Sequence, residues 1–231
     1  MTKPVGIPVA EYPRLQFIRW VLLLIAANEA AGLPAVTRHR LHSLLFMSFA
    51  SSRYYGICPL QHRARRTEQG PYYRLAHVAL GHLTLGGLVE LTQYKAYPAS
   101  RDLQFDGNFR LTADGLVVAH KFRLTWSGKA IYQLLLDICL AAARTMHSDQ
   151  LVDISDRLDS LFNQDLTYQR ALKQHGELLE LEISGEGSPT PTVNGLREIN
   201  SYLQRQVGEP LNRKDILAAY QSLLDRRAVA A

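Results

Sequence analysis

Cysteine is nearly absent from this chain of 231 residues. Cys58 and Cys139 are the two present, neither in a CxxC or CxxH spacing. A disulfide framework and a structural zinc site are therefore not expected, and two inert thiols suit a reducing, cytoplasmic compartment. Long hydrophobic runs are also lacking. The most apolar stretch, WVLLLIAA from Trp20 to Ala27, falls far short of the ~20 residues that span a bilayer. No small-residue cleavage site follows it, so it reads as a buried helix with no export and no membrane contact. Catalytic signatures are missing as well: no glycine-rich phosphate loop, no G-x-S-x-G elbow and no H-E-x-x-H. Glu90 and Lys95 lie five residues apart on opposite faces of a predicted strand, where a nuclease metal site wants an acid and a lysine two apart on one face. Neither an enzyme nor a cofactor is expected.

The chain does have material for a core, with 47% hydrophobic and 20% charged residues, the balance of an ordinary folded domain. Its charge is unevenly placed. Residues 1–130 hold 16 lysines and arginines against 7 aspartates and glutamates, and residues 131–231 hold 10 against 14. The first half is thus the part suited to a polyanion.

Pro13 suits a first helical position, and apolar residues at helical spacing carry a helix to Ala31, where Gly32 and Pro34 stop it. Thr37 is placed to cap a second helix. From Arg53 to Pro71 no period is visible, and the stretch reads as a long basic loop. Pro71 then opens a third helix with Leu75, Val78, Ala79, His82 and Leu83 inward and Arg74, His77, Gly81 and Thr84 outward. Leu88–Tyr94 alternates as a strand, Phe109–Thr112 returns, and Thr112 caps a fourth helix. Phe109, Leu111, Leu116 and Val117 are assigned to the core. This order predicts a mainly α protein with a small β-hairpin, a winged helix over residues 1–126 followed by a helical C-terminal region.

Beyond it, Ser127 caps an apolar helix, and a second, amphipathic helix carries Leu151, Ile154, Leu158, Leu161 and Phe162 opposite Asp149, Asp153, Asp156 and Asp159 or Asp165. Helix continues after Asp165. This helical region spans residues 127–183, the Gly/Pro/Ser-rich residues 184–192 form a linker, and residues 193–231 hold a last helical pair.

The candidate binding residues for DNA or a partner are Arg63, Arg65, Arg66, Tyr73, Arg74 and His77, with Lys95 and Arg101 on the wing. Arginine forks suit phosphates and guanine edges, yet the outward stripe of the third helix is poor in long polar side chains. Phosphate contact is favoured over base reading, and salt bridges across a protein interface or plain solvation of the loop outweigh each of them. The pair His39 and His42 has no third ligand nearby, so no metal is expected.

The run from Arg40 to Leu91, with its LHSLLF, GPYY and GGLVEL, followed by FRLTADG, resembles the winged-helix middle components of ABC-three-component systems, to which Lamassu-type anti-phage defence belongs. The resemblance covers roughly residues 15–125. It implies a non-catalytic accessory subunit that bridges an SMC-like ATPase and a nuclease-type effector subunit in a hetero-oligomer. A free-standing winged-helix transcription regulator, dimeric through the helices after Ser127, is the competing expectation.

Overall fold

A computed structural model describes residues 12–97, 104–145, 159, 161–182 and 187–230. Helix α1 (Tyr12–Ala30) is the centre of the molecule. Its residues from Trp20 to Ile25 are all buried, as a helix apolar on every side must be. Helices α3 (Arg74–Leu85), α4 (Ala113–Leu124) and α5 (Trp126–Thr145) pack around it. The buried Asn28 donates its amide to the Pro34 carbonyl at 2.8 Å and so ties down the turn that ends α1.

Helix α2 (Arg38–Ser51) starts at Thr37, whose hydroxyl accepts the Arg40 N–H at 3.3 Å. All its residues but His39 are buried. The chain enters α2 through β1 (Val36–Thr37), which pairs antiparallel with β5 (Gln104–Leu111). That strand pairs in turn with β4 (Val89–Tyr97), giving a three-stranded sheet in the order β1-β5-β4. Gln93, with φ 53°, lies within the irregularity between Thr92 and Lys95. The turn of this hairpin, including Arg101, lies outside the described residues.

Thr112 caps α4 as expected, accepting the Gly115 N–H at 3.1 Å and donating to the Gly87 carbonyl at 2.7 Å. That pair of bonds draws α4 tightly against the end of α3. A β-carbon at Gly115 would land on the Leu88 carbonyl, well inside van der Waals contact. Helix propensity alone makes Gly115→Ala a gain of up to about 1 kcal/mol. The close approach makes it instead a loss of about 2–3 kcal/mol from overpacking. Urea unfolding checks the sign: the midpoint is expected to fall with an unchanged slope, and a rise would mean that the Leu88 backbone yields.

A second sheet departs from the expectation of a single hairpin. After a 3₁₀ turn (Ser52–Tyr55), the basic stretch read as a loop forms β2 (Arg63–Thr67) and β3 (Gly70–Tyr72). Pro71 therefore belongs to a strand, and α3 begins at Arg74. Strand β2 also pairs with β6 (Leu178–Glu180), so the order is β3-β2-β6. Helix α6 (Leu166–Leu172) accordingly ends well before the residues expected to continue it.

Helices α7 (Pro191–Val207) and α8 (Arg213–Ala230) follow, and α8 packs on α5. Of the expected linker, Thr190 and Thr192 are buried; Thr190 caps α7 and donates to the Ala50 carbonyl of α2. Thr125, not Ser127, caps α5, accepting the Gly128 N–H at 3.1 Å, and Ser127 instead accepts a bond from Arg19. Leu161 and Phe162 are buried and Asp159 is half-buried, while Asp149, Leu151, Asp153, Ile154, Asp156 and Leu158 of the expected acidic amphipathic helix lie outside the described residues. The protein is mainly helical with two small open sheets. No helix among the described residues is long and apolar enough to cross a membrane.

Candidate functional site

The basic segment is ordered by its pairing, and strand alternation then decides where each arginine points. Arg63 is exposed and its Nε donates to Glu180 Oε1 at 2.9 Å, across the β2–β6 pair. Arg65 is exposed on the same side. Arg66 turns inward: one terminal nitrogen donates to the carbonyls of Ala171, Leu172 and Gln174 at 3.0, 3.2 and 2.8 Å. These carbonyls lie in and just past the last turn of α6, where a cation meets the negative end of the helix dipole. Arg53 similarly holds Glu182 at 2.9 Å.

Arg66→Ala is therefore expected to destabilise the fold by about 1–3 kcal/mol, through the loss of a charged donor to partly buried carbonyls. Arg66→Lys should recover part of that loss. Thermal unfolding reads the difference, and an Ala variant as stable as the parent would detach Arg66 from this capping role.

Tyr73 and His77 are not at the surface. Tyr73 is fully buried among Phe17, Phe49 and His42. His77 is also buried, its ring beside Tyr72, and His82, expected inward, is exposed and bonded to Arg14. The face of α3 is thus rotated from the sequence reading. What α3 presents outward is Arg74, His82 and Leu85.

His42 lies at the same junction, its Nδ1 accepting the Tyr73 N–H at 3.3 Å. Burial, then His77, Arg38 and His39, depress its pKa to about 3. His39 turns away to pair with Asp159 at 3.5 Å, so the two histidines do not converge. Among the described residues no group of three or more histidines, cysteines and acids is placed to hold a metal ion. Lys95 is exposed on β4, and burial raises the Cys139 thiol to about 12, which keeps it protonated and unreactive.

Sequence reasoning missed a different surface. Leu116 and Val117, assigned to the core, are exposed, as are Leu85, Leu124 and Trp126. Helix α4 is apolar on nearly every side, so periodicity cannot choose its inward face. The signal that chooses it is the small pair Gly115 and Ala119, which lets the helix approach its neighbours and turns the larger side chains out. Chemically, the described surface offers cations and apolar side chains for binding.

No family model matches the chain, and neither the comparison with curated proteins nor that with solved structures returns a match.

Proposed function

We propose that this protein is a non-catalytic winged-helix accessory subunit that works by docking other proteins. The order α1-β1-α2-α3-β4-β5, with β1 joined to the far strand of the hairpin, supports the winged-helix assignment. Strands β2 and β3 stand between α2 and α3, where a helix-turn-helix reader has a short turn. That insertion favours an adaptor over a base-reading role.

One observation carries the proposal. Arg66 of the basic segment is bonded to the protein's own backbone and Arg63 to Glu180, while Trp126 stands 93% exposed in solvent. Exposed aromatic and aliphatic side chains grouped on one face mark protein contacts. The resemblance of residues 15–125 to middle components gives the partners in this reading: an SMC-like ATPase and a nuclease-type effector in a bacterial defence complex.

The test on the isolated protein is its mass and its DNA binding. Sedimentation should give a monomer, and duplex retention should be weak and indifferent to sequence. A symmetric dimer that selects a palindromic site, with affinity falling steeply with salt, would make it a transcription regulator instead.

A further inference from the structure

The fold leaves one side of α4 uncovered. Gly115 and Ala119 face inward, and Leu116, Val117 and Leu124 stand out at 51%, 53% and 71% exposure. The same strip continues into Trp126 at the start of α5. It begins beside Leu85, 91% exposed at the end of α3, because Thr112 bonds the Gly87 carbonyl there. Between α1, α4 and α5 runs a cleft of about 390 Å³, its floor lined by alanines of α1 and α4 with Leu116 and Tyr132, and its polar lining by Glu29, His120 and Arg123.

The exposed charges that border this strip are mainly basic. At about 100° per residue, Lys121 and Arg123 fall on its two borders, and Lys129 follows one turn into α5; all three are exposed. Arg123 is held at the cleft's rim, 5.1 Å above the Tyr132 ring. Of the nearby acids, Glu29 accepts the Leu111 N–H at 2.8 Å, and Asp114 sits at the first turn of α4.

We infer that this face docks an amphipathic helix of a partner protein, its apolar ridge in the α1–α4–α5 cleft and its flanks acidic. An exposed face of Leu116, Val117 and Leu124, with His120 between Leu116 and Leu124, lies beside an interhelical cleft and suits a helix read at i, i+3, i+4 and i+7. The basic borders select acidic flanks. A second copy of this chain is disfavoured, because a two-fold contact sets like surfaces together and would bring the three cations toward their own images. This inference rests on the accessory-subunit reading and names the chemistry of its partner.

The experiment uses the full chain and its own fluorescence. The protein has two tryptophans, and Trp20 is buried, so acrylamide quenching reports Trp126. The probe is a synthetic helical peptide with leucines at i, i+3, i+4 and i+7 and glutamates on both flanks. A second peptide carries lysines in place of the glutamates. The glutamate peptide should shift Trp126 emission to the blue and shield it from acrylamide, binding at least tenfold more tightly than the lysine peptide. K121E/R123E/K129E, with an unchanged Tm, should reverse that order.

Equal binding of the two peptides, or shielding by neither, would overturn the inference. Shielding that develops with protein concentration alone would assign the face to a second copy. Shielding by anionic vesicles and not by peptide would assign it to a lipid surface, and either result also overturns the proposal. Since no partner protein enters this assay, its failure leaves the accessory-subunit reading to its own test.

Discussion

Asp165→Ala is expected to remove about 4 kcal/mol or more of folding stability, the largest loss of any single replacement considered. Asp165 is fully buried. Its Oδ1 accepts the N–H groups of Thr167 and Tyr168, each at 3.0 Å, and so caps α6. Its Oδ2 accepts the hydroxyls of Thr192 at 2.8 Å and Tyr220 at 2.9 Å. Thr192 belongs to α7 and Tyr220 to α8, so one carboxylate ties three helices together. The knot is closed further by the Thr167–Thr192 hydroxyl pair at 2.6 Å and by the Leu166 N–H on the Tyr220 oxygen at 3.1 Å.

Alanine would strand the Tyr168 N–H and two buried hydroxyls and leave the Thr167 N–H with its longer bond to Thr192 alone, at 3.3 Å, each lost bond costing roughly 1–3 kcal/mol. Asparagine keeps the cap oxygen, and the two hydroxyls can rotate to accept its amide, so Asp165→Asn should lose only about 1–2 kcal/mol. Urea unfolding of both variants separates the cases. Equal losses would show that shape alone, without the hydrogen bonds, holds the knot.

The second large effect is acid sensitivity centred on His42. Folded His42 has a pKa of about 3 and the unfolded chain one near 6.5. Between those values the unfolded chain takes up a proton that the folded protein refuses, so stability falls as pH is lowered. The loss is about 2 kcal/mol from pH 7 to pH 5 and about 4 kcal/mol by pH 3. Protonation would also end the bond from the Tyr73 N–H and set a charge beside Arg38 and His77. His42→Asn keeps an acceptor where Nδ1 lies and cannot titrate, so the fall of about 2 kcal/mol from pH 7 to pH 5 that His42 contributes should disappear. A variant with the parent's slope would place the acid sensitivity elsewhere.

Local chemistry was legible in the sequence, and distant pairing was not. Thr37 and Thr112 announce themselves as caps because a cap hydroxyl needs only the next turn. The all-apolar centre of α1 and the alternation of β4 are equally local. Strand β2 hides because RARRT carries a single apolar residue, Ala64. What makes it a strand is β6, which comes from the far half of the chain.

The candidate site follows the same division. Nothing near Arg66 tells that its guanidinium will cap α6, and nothing near Tyr73 tells that Phe17 and Phe49 will enclose it. His77 and His82 exchanged faces because α3 has apolar residues on both sides, leaving periodicity without a decision. Leu116 and Val117 misled for that reason, and their exposure became visible only once Gly115 was seated against Leu88.

Docking through a winged-helix scaffold is tested most directly by recovering the tagged chain from cells that keep its neighbouring genes. The result expected is a large SMC-like ATPase and an effector subunit retained with the chain in fixed proportion through a high-salt wash. Recovery of the chain alone, as a dimer on promoter DNA with no ATPase beside it, would contradict it.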